Sequence, residues 1–363
     1  MKKVNLFCPI NSLGYGVVSY NVWKELNKTD DVTLWPVSNQ ISTPIKMNEE
    51  QTHQFQIDIM KQNEFDPTAP CLKIWHENHL GERIGVGPLT NLSFFEVNKF
   101  DARRKSHLKS ADRIAVPSLW AAAIVIDQLK IKPADEKPHI VPMGVDRTIF
   151  NETFNNTDPH KCIFFNCGKW EVRKGHDILH KAFKDAFPNV HDVELWMMAD
   201  NPFLNENQKS QWESSYKGDY RIKLIEKVQY QDELARIMAR INCGVFPARA
   251  EGWNLEILEL MSMGKQVIAT DYSAHTEFCN KDNCNLVKIT EEEPMFDGYW
   301  FTGDNGTWAS LEGDAYDELI NRLREVYKRW QSDREMPNEA GIETAKELSW
   351  EKTAASLLEI TTA

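Results

Sequence analysis

Short apolar runs alternate along the whole chain with stretches whose apolar positions recur at helical spacing. In the first part the runs fall at residues 4–8, 32–37, 72–76, 113–117 and 139–142. They carry β-branched or aromatic residues without strict alternation, the pattern of strands buried on both faces. Helical periodicity fills 17–26 and 119–129 between them. Strand–helix–strand alternation of this kind predicts a parallel sheet with right-handed crossovers. The polar, turn-rich segment 151–160 interrupts the pattern near the midpoint and reads as a linker. The alternation then restarts: strands at 161–167, 193–199, 221–226, 243–246 and 266–270, helices at about 176–187, 231–240 and 255–263. Residues 291–312 read as a long irregular excursion, and helices over about 313–330 and 350–361 close the chain. The reading is α/β, with two Rossmann-like domains: 1–150, 151–345, and a closing helix over 346–363 that packs back toward the first.

A length of 363 residues suits two domains. Hydrophobic residues at 42% and charged residues at 26% are ordinary for a soluble globular chain, which excludes wholesale disorder. No run approaches the roughly 20 apolar residues that span a bilayer. The start, Met1-Lys2-Lys3-Val4-Asn5-Leu6-Phe7-Cys8, is soon broken by Pro9 and Asn11 and reads as a first strand rather than a signal peptide, so a cytoplasmic location is expected. Seven cysteines, an odd number without zinc or redox spacing, read as buried inert thiols.

The net charge of −12 argues against indiscriminate nucleic-acid binding, but it is unevenly spread. Residues 1–150 hold 18 Lys and Arg against 17 Asp and Glu, whereas the remainder holds 24 against 37. Lys99, Arg103, Arg104, Lys105, Lys109 and Arg113 form a local basic stretch. It reads first as the solvated face of a helix, and second as a surface for an acidic substrate.

In open parallel sheets, ligands bind beyond the carboxyl ends of the strands, where helix N-termini present free amides. Four segments occupy such ends. Gly14-Tyr15-Gly16 follows the first strand and suits either a plain strand-to-helix turn or a loop that approaches an anion closely. In Gly168-Lys169-Trp170-Glu171-Val172-Arg173-Lys174-Gly175, three cations gather between a buried strand and a helix, within an otherwise acidic domain. That combination suits a diphosphate. In Glu251-Gly252-Trp253-Asn254-Leu255-Glu256-Ile257-Leu258-Glu259, Glu251 lies in a loop and suits sugar hydroxyls. Spacing alone leaves Glu259 either solvent-facing or functional, and makes Glu256 solvent-facing. Trp75-His76-Glu77-Asn78-His79 lacks the His-Glu-x-x-His zinc spacing, so His76 reads as a polar contact and no metal site is expected.

These segments resemble a family. Gly168-Lys169 with Arg173-Lys174-Gly175 is similar to the G-R-L…K-G-x-D segment of retaining GT-B glycosyltransferases, family 4. Glu251-Gly252-Trp253-Asn254-Leu255…Glu259 resembles its E-G-F-G-L…E signature. Residues 263–270 resemble the family's G-x-P-V-I-A strand, and Thr276-Glu277-Phe278 its later glutamate turn. Val141-Pro142-Met143-Gly144-Val145-Asp146 resembles its hinge and Ser349-Trp350 the start of its closing helix. The likeness covers about half the chain and is loose in the first domain, where it rests on Gly14, Gly16, His76 and the strand at 111–118. It implies two domains facing a cleft and retaining sugar transfer from a UDP- or GDP-linked donor, with no cofactor and no catalytic metal. Lys169 and Lys174 would grip the diphosphate, with Gly168 and Arg173 in the same loop. Glu259 would take the ribose, while Glu251 and the amides of Gly252, Trp253, Asn254 and Leu255 would hold the sugar. His76 would touch that sugar from the other domain, near Gly14 and Gly16. The implied acceptor is a glycan or glycoconjugate, with hydroxylated bases of modified DNA as a second option. Other readings are an epimerase or phosphorylase on the same fold and a non-catalytic sugar-nucleotide- or glycan-binding protein. Lys169 replaces Arg and loses the bidentate fork. Asn254 replaces glycine and either takes a left-handed backbone or adds a sugar contact.

Overall fold

A computed structural model of the chain describes residues 2–38, 41–153 and 155–363. Met1, where the N-terminal reading begins, and Phe154 of the expected linker lie outside them. The chain divides into two compact units, Met1–Gly144 with Gln229–Gln231 and Leu348–Ala363, and Val145–Val228 with Asp232–Glu347.

In the first unit the elements run β1 (Lys3–Cys8), α1 (Gly14–Leu26), β2 (Asp31–Pro36), α2 (Glu49–Met60), β3 (Cys71–Ile74), β4 (Leu89–Leu92), α3 (Ala102–Leu108), β5 (Arg113–Val116), α4 (Leu119–Leu129) and β6 (His139–Ile140). Its six strands form a parallel sheet in the order β2-β1-β3-β4-β5-β6. Strand order reverses between β1 and β3, the place where such sheets bind ligands. β4 carries Thr90 and Asn91, and its polar sequence hides it from an apolar-run search even though all four residues are buried.

In the second unit follow β7 (Cys162–Gly168), α5 (His176–Ala186), β8 (Val193–Ala199), α6 (Glu206–Tyr216), β9 (Ile222–Leu224), α7 (Gln231–Met238), β10 (Cys243–Phe246), α8 (Leu255–Ser262), β11 (Gln266–Thr270), β12 (Asn285–Val287), β13 (Glu292–Phe296), β14 (Thr302–Ala309), α9 (Asp314–Ser332) and α10 (Glu339–Glu347). The sheet order is β12-β11-β10-β7-β8-β9, with the reversal between β7 and β10. Phe164, Phe183, Phe187, Leu195, Met197, Val245 and Ile268 belong to its core. The last helix, α11 (Trp350–Thr362), belongs to the first unit and packs on α1.

Two expectations are corrected. Residues 291–312 are not irregular: β13 and β14 pair as an antiparallel hairpin, Glu293 opposite Trp308. Neither strand alternates apolar with polar positions, and a turn ordered by Asp297 joins them: its Oδ1 accepts N–H bonds from Tyr299, Trp300 and Phe301 at 2.8, 2.8 and 2.9 Å. The described part of 151–160 is not a linker either, because it docks within the second unit, where the Asn156 N–H donates to the Ala239 carbonyl at 2.9 Å. The division falls between Gly144 and Val145. On the first-unit side Gly144 lies so close to Ser349 and Trp350 that an added Cβ would stand 2.1 Å from the Trp350 nitrogen. On the other side the Ser262 hydroxyl donates to the Phe150 carbonyl at 2.5 Å. All seven cysteines are buried free thiols. Among the described residues, no helix is long and apolar enough to cross a membrane.

Candidate functional site

β7 and β10 flank the reversal point of the second sheet, and the loops that leave them carry the charged motifs. β7 ends at Gly168, whose φ of +140° suits glycine, and an added Cβ there would stand 3.0 Å from Lys174 Cδ and Cε. The loop turns back so that Lys174 lies over the strand end. Gly175 closes it with φ +72°, and an added Cβ would meet the Pro247 carbonyl oxygen at 2.1 Å. The loop after β7 is thus clamped against the loop after β10.

Charges are laced through this clamp. Lys174 Nζ bonds Glu251 Oε1 at 2.7 Å, and the buried Arg173 guanidinium meets Glu251 Oε2 at 2.8 Å. Arg173 also donates to Glu171 Oε2 at 2.6 Å and to the Ala250 carbonyl at 2.7 Å. Lys169 pairs with Glu171 Oε1 at 2.8 Å while keeping about a third of its side chain in water. Burial pushes the Glu251 carboxyl up, but Arg173 and Lys174 outweigh it and hold the group well below the usual carboxylate range. Burial likewise opposes the Lys174 charge, and Glu251 reverses the balance and raises that ammonium. Lys169, Arg173 and Lys174 are thus paired with the carboxylates of Glu171 and Glu251 at a strand end, and Glu256 also lies in the field of Lys174.

Asn254 takes the left-handed backbone that its place before α8 requires, with φ +81° and ψ +81°. Buried His275 is pushed down to about 4, chiefly by burial, and is therefore neutral near pH 7. Its Nδ1 lies 3.1 Å from the Thr270 carbonyl, which only a protonated nitrogen can satisfy, so Nε2 accepts from Asn254 Nδ2 at 3.2 Å. That bond fixes the amide and leaves Asn254 Oδ1, with the neighbouring Trp253 Nε1, buried and without a hydrogen-bond partner. An orphan acceptor and an orphan donor lie next to each other in sequence, beside Glu251, Gly252 and the half-buried Leu255, and they suit a hydroxyl-rich ligand.

Glu259 is buried on α8. Glu256 corrects an expectation: it is half-buried instead of solvent-facing, and burial raises its carboxyl against the opposing field of Lys174. Sequence reasoning also missed Glu171 and His275. Glu171 stands within the cation run at two-residue spacing from Lys169 and Arg173, a signal that was available. His275 is brought in by the fold alone.

In the first unit the structure brings the glycine turn and the end of β3 together through Tyr15. Its ring lies 4.4 Å from that of the exposed His76, 5.6 Å from Trp75 and 4.9 Å from Phe94. Burial pushes the Tyr15 hydroxyl well up, and that hydroxyl donates to the Phe94 carbonyl. Gly14 has open space where a Cβ would stand, whereas at Gly16 one would meet the Asn11 backbone at 2.2 Å. Glu77 Oε1 is taken by Arg104 at 2.7 Å, and Arg104 also meets Asp101 at 2.8 Å. One of the six basic residues is therefore committed to an internal ion-pair network. Among the described residues, no three His, Cys, Asp or Glu side chains gather so as to hold a metal ion.

Comparison with known proteins bears on both units. Residues 161–297 match the family model Glycosyl transferases group 1. "Putative glycosyltransferase 45" of Sulfolobus islandicus filamentous virus (isolate Iceland/Hveragerdi) is 19% identical over 228 residues, 62% of this chain. The aligned part spans 59% of that relative's length. An α,α-trehalose-phosphate synthase (UDP-forming) from Burkholderia xenovorans, in complex with glucose-6-phosphate, superposes with a TM-score of 0.71 at 10% identity over 100% of both chains. Anabaena Alr3699/HepE in complex with UDP-glucose gives 0.69 at 13%, again over 100% of both. Sucrose-phosphate synthase from Thermosynechococcus elongatus gives 0.67 at 14%, over 99% of this chain and 98% of that one. The chain has the GT-B fold, and its second unit carries the segment similar to group 1 glycosyl transferases.

Proposed function

We propose that the protein is a retaining, metal-independent glycosyltransferase of family 4 that moves a sugar from a UDP- or GDP-linked donor to an acceptor hydroxyl. The observation that carries this reading is the Lys174–Glu251 pair, 2.7 Å apart at the sheet's reversal point, with Gly168 beneath it. Cleaving the bond between the anomeric carbon and the diphosphate sends an electron pair to a phosphate oxygen. Lys174 and the more exposed Lys169 stabilise that charge, and the α5 N-terminus adds its dipole. Arg173 serves by holding Glu251. Glu251, Asn254 Oδ1 and the loop amides hold the sugar, and Glu259 takes the ribose. The acceptor hydroxyl attacks from the face the diphosphate leaves, and its proton passes to the departing phosphate oxygen. His76 and Tyr15 belong to the acceptor side. The names of the structural neighbours include UDP-glucose and a sugar phosphate, which supports a hexosyl donor and a carbohydrate acceptor. The commitment of Arg104 to Glu77 and Asp101 favours a glycan over an anionic polymer.

The test is a panel of UDP- and GDP-linked hexoses, with hydrolysis and transfer followed in EDTA and in Mn²⁺. The expected result is donor turnover that persists in EDTA and a product whose anomeric configuration, read by NMR, matches the donor's. A folded protein that neither binds nor turns over any donor removes the reading. Activity lost in EDTA and restored by Mn²⁺ removes metal independence.

A further inference from the structure

A cavity of about 310 Å³ opens in the second unit between the start of the phosphate-side loop, α6 and the tip of the β13–β14 hairpin. Trp170 and Trp212 form one wall, their rings stacked 5.7 Å apart with planes 9° from parallel. Tyr299 and Trp300 form another, perpendicular to each other at 4.7 Å and each about half exposed. Phe203, also half exposed, stands edge-on to Trp300 at 5.7 Å, and the Tyr299 hydroxyl donates to its carbonyl at 3.0 Å. Gln208 and the exposed Gln211 contribute amides from α6.

The hairpin that presents the aromatic rings is braced. Glu293 accepts from Arg249 at 2.7 Å and from Trp308 Nε1 at 3.0 Å, and Arg249 pairs twice with Asp177, at 2.8 and 2.9 Å. The Asp297 turn fixes the tip. Three large aromatic side chains are thus held half in water by polar anchors, where an ordinary surface would cover them.

We propose that this cavity is a carbohydrate-binding site separate from the donor cluster, and that it takes one or two pyranose rings of a neutral oligosaccharide. The face of an aromatic ring carries negative charge density and accepts the polarised C–H groups of a sugar ring, while flanking amides donate to and accept from its hydroxyls. No Lys or Arg is among the lining residues. The nearby Lys169 is paired with Glu171, Arg173 takes the other Glu171 oxygen, and Asp297 keeps its carboxylate at the rim, so the walls offer no free cation to a phosphorylated or uronic ligand. The volume lies at the small end of ligand pockets. The cavity shares Trp170, Glu171 and Val172 with the back of the diphosphate loop, but Lys174, Glu251, Asn254 and Glu259 are not among its lining residues. The inference goes beyond the transfer reading, since the site is defined by its own walls and its test needs no donor.

The full chain is titrated with maltohexaose, cellohexaose and mannohexaose, read by tryptophan fluorescence and by the indole N–H signals in NMR. At least one is expected to bind saturably with a Kd of about 0.1–10 mM. Trp300→Ala and Tyr299→Ala are each expected to weaken binding about tenfold, Gln211→Ala severalfold, and Trp300→Phe much less than Trp300→Ala. Lys174→Ala should bind as the parent does, and Trp300→Ala should keep the parent's donor turnover. No saturation by any of the three up to about 20 mM overturns the site. So does binding indifferent to Trp300 and Tyr299, or binding lost in Lys174→Ala, which would put the sugar in the donor cluster.

Discussion

The turn after β1 and the turn after β7 hold corresponding places, each beside the point where its sheet reverses strand order. Both begin a helix and both contain glycine, yet their chemistry is opposite. The first is aromatic and uncharged, with Tyr15 set among His76, Trp75 and Phe94. The second is a lattice of buried ion pairs in which every carboxylate oxygen of Glu171 and Glu251 has a basic partner. A helix N-terminus offers amides and a positive dipole end in both cases, so the backbone does not make the difference. The second turn adds cations, with Lys174 held largely away from water, where its charge acts most strongly on a leaving anion. The first offers aromatic rings, with the Tyr15 hydroxyl spent on the Phe94 backbone, and in the proposed transfer it suits a neutral acceptor. In the proposed transfer, the same topological place serves two halves of one reaction.

The sharpest break between the two turns is Lys174→Ala, which is expected to cut donor turnover at least about a hundredfold. Arg173 remains opposite Glu251, so the carboxylate is not left unpaired and the fold should persist. A folded variant with near-parent turnover would refute the diphosphate role. Next in size is a pair of glycine substitutions. Gly175→Ala combines a positive φ with a Cβ pressed on the Pro247 carbonyl and should lower stability by about 2–4 kcal/mol. Gly14→Ala meets open space and should change it by less than about 0.5 kcal/mol. Chemical denaturation of both checks the contrast, and equal effects would erase it.

Acid should act on the second turn in two stages. His275, pushed down to about 4, and His176, pushed down to about 3, stay neutral in the fold but protonate in the unfolded chain below about 6.5. The unfolded state then holds more protons, so stability falls as pH drops through that range, by up to about 1.4 kcal/mol per pH unit for each histidine. Glu251 adds a second loss at lower pH. Its folded pKa is depressed, so its contribution is present above the unfolded value of 4.5 and fades as pH falls below it. Thermal melts across this range should show His275→Gln with a shallower slope between about pH 6 and 4.5. Among the polar site residues a small effect is expected of Asn254→Gly: stability within about 1 kcal/mol, since lost contact with His275 is offset by a relaxed backbone. The donor KM should rise severalfold through loss of Oδ1, and an unchanged KM would return Asn254 to a backbone role.

The apolar runs made most strands legible because β7, β8, β10 and β11 are buried on both faces and need no alternation to stand out. β4 and the β13–β14 hairpin escaped because their residues are polar and the hairpin's ordering lies in one aspartate's bonds to three amides. In the site, the cations and Glu251 were visible as a motif. Glu256 was misread because spacing along a helix does not reveal what a neighbouring loop carries over it. The paired roles of Asn254 and His275 depend on residues brought together only by the fold.

Gly144 lies against Ser349 and Trp350, so, apart from the brief return at Gln229–Gln231, the chain leaves the first unit and re-enters it at almost the same point. The second unit is spliced into the first between Gly144 and Leu348, and this sets an order in time during synthesis. When a ribosome has released residues only as far as Glu347, every segment of the second unit is available to fold. The first unit at that moment still lacks α11, and the face of α1 that α11 covers is open to water. The half that begins first is therefore finished last, and a chain stalled before Leu348 carries an exposed apolar face for chaperones to meet.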